Sequence, residues 1–382
     1  MTDIIQLFSG IGVVIDEAIN AKESQPNGIQ KIVQSIKDKD IPVLAYEELP
    51  NDETLSKFHS ISFIILDWNL SGGQPIPPAT IEDNIDFLKK LKEICFVPIF
   101  IFSDEDSRTI EVALSEKGMT AQNSPIFIKK KDELNTAEKL FNEIEKWMKQ
   151  TPSVYVMKEW EKATREARTT MMSDLSSIHP SWPSVLAESV QSDGGDCDWE
   201  LMNSLQSNLS YRIAVPQFEK TIIEVKKEGI TKEDIRKVLE CERFIPNPKL
   251  PDYPFAGDIY LIEHCYYVNI RPDCDIIREK KDLYLLKGNV IDETKINSEE
   301  IDERIIFNQG SFQEKINNCI VAFVEGKILS FSLRKLTIKK WNEIKDDRQG
   351  RLLPPFITKI QQKYSAYLQR QALPAIPQEA IK

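Results

Sequence analysis

Histidine is scarce in this sequence, with three among 382 residues, at positions 59, 179 and 264. Catalysis or metal binding that depends on several imidazoles is therefore disfavoured. The six cysteines are scattered and form no Cys-x-x-Cys pair. That pattern lacks a zinc signature and is typical of free thiols in a reducing cytoplasm.

Long apolar runs are also missing, and none is long enough to span a bilayer. The first residues, "MTDIIQLFSGIGVVIDEAI", lack a basic region and contain acids at positions 3, 16 and 17, so they do not resemble a signal peptide. We therefore expect a cytoplasmic protein without a membrane partner. The length predicts two or three domains.

Charge is distributed unevenly over a chain whose net charge is −11. Residues 1–150 carry 16 Lys and Arg against 25 Asp and Glu, whereas residues 334–382 carry 11 against 4. The acidic total disfavours non-specific binding of nucleic acid by the whole chain. The basic C-terminal end is the one charge feature that could contact an acidic partner.

Residues 1–150 alternate between short apolar runs and amphipathic helical patterns. The five apolar runs read "GVVI", "PVLAY", "FIIL", "PIFIF" and "PIFI". Strands that are apolar throughout and separated by helices indicate a parallel sheet covered on both faces. We predict a doubly wound α/β domain with strand order 2-1-3-4-5.

The rest of the chain changes character twice. Residues 151–245 have helical patterns, and the proline-rich "IPNPKLPDYP" then marks a boundary. Short strand patterns predict a small β-rich module over 246–338. Residues 339–382 predict a basic C-terminal helix and tail, in which Ile357, Ile360, Tyr364 and Tyr367 form one apolar stripe.

Polar side chains follow four strands of the predicted parallel sheet. Asp16 and Glu17 follow the first, Asp67 the third, Ser103 ends the fourth and Lys129 the fifth. Ligands of such sheets bind at the carboxyl ends of the strands. Clustered carboxylates suit Mg²⁺, one carboxylate can act as a nucleophile toward phosphorus, and a hydroxyl and a lysine can bind phosphoryl oxygens.

With these residues in this order, the segment 1–150 resembles the receiver domain of two-component response regulators of the chemotaxis-regulator type. The matching stretches are "VVIDE", "DWNL", "FIFS" and "IFIK". The resemblance covers about 40% of the chain. It implies a cytoplasmic bacterial signalling protein that accepts a phosphoryl group from a histidine kinase or a kinase-like ATPase.

The resemblance also implies a role for each matching residue. Asp67 would be the phosphoacceptor, and Ser103 and Lys129 would contact the phosphoryl group. The Mg²⁺ ligands would be the carboxylates of Asp16, Glu17 and Asp67 together with the backbone carbonyl of Asn69.

Three features depart from the receiver pattern. The family usually has a proline after the lysine that matches Lys129, but here Lys130 follows. The family often has an aromatic residue three positions before that lysine, but here the residue is Ile126. Lys130 and Lys131 are interpreted as surface residues or as charges at the approach to the next helix, and not as ligands. The loop over residues 71–80 is longer than the family's turn, which predicts either a lid or a partner surface.

Residues 151–382 contain no helix-turn-helix pattern, and we expect them to contact a protein effector or the kinase. The layout loosely resembles receiver proteins found beside histidine-kinase-like ATPases in bacterial conflict systems, which implies a role in antiphage defence. Nucleic acid is a less favoured partner for the basic C-terminal end, and a transcription regulator is a second alternative.

The main alternative is a receiver-gated enzyme or nucleic-acid-processing effector. Its site would include Asp273, Cys274 and Asp275, with His264 on the preceding strand. A nucleophilic cysteine needs such a positive or basic neighbour. A simpler interpretation is a turn whose aspartates bond to the backbone.

Overall fold

The computed structural model describes residues 8–22, 25–119, 125–134, 136–192, 194–224, 229–278, 282–292 and 318–370. It divides into two compact units. The first unit consists of Met1–Ser177 and Asn208–Lys226, and the second unit of Ile178–Ser207 and Lys227–Lys382.

The first unit contains a five-stranded sheet in the order β2-β1-β3-β4-β5, with every neighbouring pair parallel. This confirms the predicted order. The strands are β1 (Ile11–Ile15), β2 (Val43–Tyr46), β3 (Ile61–Leu66), β4 (Ile99–Ser103) and β5 (Ile126–Lys130).

The central strands are apolar throughout because helices cover both faces of the sheet. Successive side chains of β3 alternate between two cores: Phe63 and Ile65 belong to one, Ile64 and Leu66 to the other. The covering helices are α1 (Gly28–Lys37), α2 (Asp52–Leu55), α3 (Pro78–Ile94), α4 (Ser107–Glu116) and α5 (Ala137–Gln150).

The predicted helical region follows as α6 (Pro152–Ile178), α7 (Trp182–Ser192), α8 (Cys197–Arg212), α9 (Lys220–Ile223) and α10 (Lys232–Arg243). Its first helix belongs to the first unit. Val154 and Tyr155 are buried in the same core as α1 and α5, and Lys158 Nζ lies 3.3 Å from both the carbonyl and the hydroxyl oxygen of Ser62. No described helix has the length and apolar character needed to cross a membrane.

The second unit contains a seven-stranded antiparallel sheet in the order β10-β11-β9-β8-β7-β12-β6. Its strands are β6 (Phe244–Pro246), β7 (Asp258–Ile262), β8 (Cys265–Asn269), β9 (Asp282–Val290), β10 (Asn318–Val324), β11 (Lys327–Lys340) and β12 (Arg348–Leu352). The α-helices described after β6 are α11 (Asp273–Arg278), the short helix Trp341–Ile344 and the C-terminal helix Phe356–Gln369.

The C-terminal helix packs its predicted apolar stripe on this sheet. Ile357 and Ile360 are buried in the core with Phe356, and Tyr364 and Tyr367 pack against it. The remaining part of the predicted tail, 371–382, and residues 293–317 of the β-rich module lie outside the described residues.

Candidate functional site

The carboxyl ends of β1 and β3 bring three acids together. Ile15 pairs with Leu66 in the parallel register, so the next residues, Asp16 and Asp67, lie side by side at the sheet edge. Carboxylate oxygens of Asp16, Glu17 and Asp67 all lie within 4.8 Å of one another. We call these three residues the carboxylate pocket.

A cavity of about 370 Å³ opens beside these acids. Its wall includes the predicted residues Glu17, Asp67, Asn69 and Ser103. Ser103 is buried at the end of β4, and its hydroxyl oxygen lies 3.5 Å from the backbone nitrogen of Glu105. The structure therefore brings Glu17, Asp67, Asn69 and Ser103 of the predicted set to one cavity.

The lysine of this cavity is Lys131, which sequence reasoning assigned to the surface. That interpretation was wrong: Lys131 is only 9% exposed. Its Nζ lies 2.7 Å from Asp16 Oδ2 and 2.8 Å from Asp67 Oδ2. It opens a single 3₁₀ turn, Lys131–Leu134, that follows β5 and directs its side chain back to the sheet edge.

Lys129, the lysine predicted for this role, lies elsewhere. Its Nζ forms ion pairs with Glu133 at 3.2 Å and with Glu143 of α5 at 2.9 Å. Side chains of a strand alternate between faces, so Lys129 shares the face of Phe127, which packs on the α5 core. Because β5 continues to Lys130, the lysine that reaches the carboxylate pocket is Lys131, two residues after the predicted Lys129.

The charges of the carboxylate pocket are unbalanced, since one lysine faces three carboxylates. Burial and the neighbouring Asp67 carboxylate raise the pKa of Glu17 to about 7. Burial also raises the pKa of Asp16, although Lys131 opposes that change. Burial alone would lower the pKa of Lys131, but the carboxylates of Asp67 and Asp16 outweigh it and raise the pKa. An additional cation would therefore be favoured here.

The segment after Asp67 is held by hydrogen bonds. The backbone N–H of Asn69 donates to Asp67 Oδ1 at 3.2 Å, and the Asn69 side chain donates to the carbonyl of Gly73 at 2.9 Å. Farther along, Gln74 donates from its amide to the carboxylate of Glu105. The long loop is thus tied to the segment that follows β4, at the cavity wall.

In the alternative site of the second unit, Cys274 Sγ lies 3.7 Å from Asp275 Oδ1, but His264 is not brought to them. Asp273 Oδ1 accepts a hydrogen bond from the backbone N–H of Ala256 at 2.7 Å, so this aspartate does bond the backbone, but it begins the helix α11 and not a turn. Cys274 and Asp275 are exposed. His264 precedes β8, whereas Asp273 follows its other end. Among the described residues, the carboxylate pocket is the one cluster of acids, cysteines or histidines close enough to hold a metal.

The basic C-terminal end is partly internal. Arg348 and Arg351 are 4% and 13% exposed at their side chains and pair with the buried Asp258. The exposed basic residues of this end include Arg334, Lys335, Lys339 and Lys340 on β11.

No family model and no curated protein matches this chain. Among solved structures, one match is a fusion that includes the trimeric coiled coil of yeast Spc42, with 12% identity, a TM-score of 0.26, and coverage of 36% of this chain and 75% of that one. Another is a response regulator from Burkholderia pseudomallei with a phosphorylated aspartic acid, a calcium ion and citrate. It has 12% identity, a TM-score of 0.23, and coverage of 36% and 71%. At these TM-scores neither match supports an argument about the fold. The observed strand order is consistent with a receiver-like fold.

Proposed function

We propose that the first unit is a phosphoacceptor domain of the response-regulator type and that Asp67 accepts the phosphoryl group. The observation that carries this proposal is the convergence of Asp16, Glu17 and Asp67 within 4.8 Å at the carboxyl edge of the sheet. Lys131 and Ser103 complete the set around the same cavity.

The donor atoms of the pocket fit a hard divalent cation. Glu17 Oε2 is buried and accepts no hydrogen bond from any described residue. Carboxylate and carbonyl oxygens are the ligands that Mg²⁺ prefers. Asp16, Glu17, Asp67 and the backbone carbonyl of Asn69 would hold the ion. When bound, Mg²⁺ would supply positive charge for the phosphoryl oxygens.

Asp67, Lys131 and Ser103 have distinct roles in the phosphoryl transfer. A carboxylate oxygen of Asp67 attacks phosphorus, the new P–O bond forms, and the bond from phosphorus to the donor's leaving atom breaks, with its electron pair leaving on the donor. The Lys131 ammonium, 2.8 Å from Asp67 Oδ2, stabilises the negative charge of the phosphoryl oxygens, and the hydroxyl of Ser103 donates to one of them.

The donor and the output complete the proposal. A histidine kinase or a kinase-like ATPase would supply the phosphoryl group, and the second unit would pass the signal to a protein. The role in bacterial antiphage defence stays a prediction from overall layout.

Phosphorylation by a small donor tests the proposal. The protein is incubated with acetyl phosphate, with and without Mg²⁺, and its intact mass is measured. We expect a gain of one phosphoryl group that needs Mg²⁺, disappears in Asp67→Asn and persists in Asp132→Asn, a control at another carboxylate of the cavity wall. An adduct that survives in Asp67→Asn, or no adduct in the unmodified protein, would overturn it.

A further inference from the structure

A second cavity of the first unit, of about 500 Å³, opens between α2 and α3. Four carboxylates line it: Glu48, Asp52, Asp83 and Asp86. The one basic residue in its wall, Lys90, is already paired with Asp52 at 2.7 Å. Outside the wall, Lys89 lies 3.3 Å from Asp86 Oδ1, which leaves Asp86 Oδ2, Asp83 and Glu48 to face the cavity. We call this cavity the acidic pocket. Its net negative charge favours a cationic occupant.

Apart from Thr80 and Asn84, the rest of the wall is formed by apolar residues. Leu49, Leu55, Leu70 and Phe87 lie among the acids, and Leu55 and Phe87 are buried members of the second core. A bare metal ion gains nothing from such a wall. An organic cation can bury an aliphatic stem against it while its charged group meets the carboxylates.

Asn84 provides an observation independent of the acids. It is fully buried and lines the acidic pocket. Its amide nitrogen donates to the carbonyl of Trp68 at 2.7 Å. That partner can only accept, so the orientation of the amide is determined. Asn84 Oδ1 then accepts no hydrogen bond from any described residue. A buried amide oxygen in this state needs a donor.

We infer that the acidic pocket binds an alkylammonium group on an aliphatic stem. An ammonium carries three N–H donors and no acceptor. It would satisfy Asn84 Oδ1 and pair with the carboxylates of Asp83 and Asp86, while its stem packs on Leu70 and Phe87. The volume of the pocket falls within the range of small-molecule sites, about 300–1,000 Å³.

The pocket also adjoins the segment that follows Asp67. Asn84 holds the carbonyl of Trp68, and Leu70 contributes to the wall. Binding would therefore perturb the environment of Trp68 and of the residues beside it. Amide resonances of this segment report the event without any reference to phosphorylation.

The test is calorimetric titration of the full-length protein with three probes. They are 1,5-diaminopentane, Nα-acetyl-lysine amide and the neutral 1,5-pentanediol. We expect the ammonium probes to bind and the diol not to bind. Binding of both ammonium probes would indicate that a lysine side chain can fill the pocket, and binding of the diamine alone would indicate a free amine.

Variants at exposed positions keep the test independent of folding. The double variant Asp83→Asn, Asp86→Asn should weaken binding of the ammonium probe by about tenfold or more, as expected for two charge-assisted contacts. The double variant Glu82→Gln, Glu93→Gln removes the same charge from the same helix outside the wall, and it should bind like the unmodified protein.

In the calorimetric titration, three results would overturn the inference. They are no binding of either ammonium probe, equal binding of the diol, or equal weakening in the two double variants. In a second measurement, amide resonances of Trp68 and Asn69 should shift as the ammonium probe saturates. An unchanged spectrum at saturation would place the bound amine elsewhere and contradict the assignment.

Discussion

Each unit contains a buried charge cluster, and the two clusters differ in how their charges match. The carboxylate pocket of the first unit sets one lysine against three carboxylates. The second unit has the reverse composition, with Arg348 and Arg351 beside the single carboxylate of Asp258. We call the latter cluster the arginine clamp.

The arginine clamp is closed by hydrogen bonds. Arg351 Nε lies 2.6 Å from Asp258 Oδ1, and Asp258 Oδ2 accepts from the backbone N–H of Phe255 at 2.9 Å. The guanidinium of Arg348 donates to Asn247 Oδ1, to the carbonyl of Tyr253 and to that of Pro251. The clamp fastens β12 to β7 and to the preceding loop.

The arginine clamp has a structural role, whereas the carboxylate pocket has the features of a binding site. In the clamp each carboxylate oxygen meets donors, so the charges hold strands in place. In the carboxylate pocket Glu17 Oε2 meets no described donor, negative charge is in excess, and a cavity opens beside it. Burial of charge is common to both clusters. In the first cluster a carboxylate oxygen without a described donor lies beside a cavity, and this points to a ligand.

Breaking the clamp should have the largest effect on stability. Asp258→Ala leaves two buried guanidiniums without their carboxylate, which should cost about 3–5 kcal/mol. Urea unfolding followed by near-UV circular dichroism measures this loss. Asp252→Ala, at an exposed acid of the preceding loop, is the control and should change little. Equal stability of the two variants would show that the clamp is not structural.

Removing the pocket lysine should cost less and should be reversible by metal. Lys131→Met leaves Asp16 and Asp67 without their counterion, and we expect a loss of about 2 kcal/mol because the pocket opens to solvent on one side. Mg²⁺ should restore much of it, since a divalent cation replaces the lost charge. The control Lys129→Met removes two ion pairs near the surface, those with Glu133 and Glu143, and should cost under about 1 kcal/mol. A larger loss in Lys129→Met than in Lys131→Met would contradict the geometry.

The smallest expected effect is a pH dependence of metal binding. The pKa of Glu17 is about 7 in the folded protein, against an ordinary value of 4.5. Folding therefore favours protonated Glu17, and the free energy of unfolding falls as pH rises between those values. Mg²⁺ needs the deprotonated carboxylate. Its stabilisation, measured as a shift in Tm, should be greater at pH 8 than at pH 6. In Glu17→Gln the difference between the two pH values should shrink, and a difference of unchanged size would exclude Glu17 as its source.

Sequence reasoning located the strands and the acids because both signals are local. An apolar run covered on both faces ends where the sheet meets solvent, so Asp16, Asp67 and Ser103 follow directly from the pattern. The fifth strand ends within three successive lysines, residues 129–131, and hydrophobicity does not mark where such a strand ends. The 3₁₀ turn that selects Lys131 depends on tertiary packing.

Ion pairs between residues that are distant in the sequence could not be predicted, for a different reason. Asp258 and Arg351 are 93 positions apart, and nothing in their neighbourhoods marks them as partners. Arg348 and Arg351 therefore contributed to the apparent basic surface of the C-terminal end. Asn84 was likewise hidden, since an asparagine on a helix gives no sign that it will hold a carbonyl next to Asp67.

The most direct test of the account is the position of the phosphoryl group. After treatment with acetyl phosphate and Mg²⁺, borohydride reduction converts an aspartyl phosphate into homoserine, and tandem mass spectrometry of the digest locates the converted residue. The account predicts conversion at residue 67, dependent on Mg²⁺ and lost in Lys131→Met but retained in Lys129→Met. Conversion at another carboxylate, or none at residue 67, would contradict it.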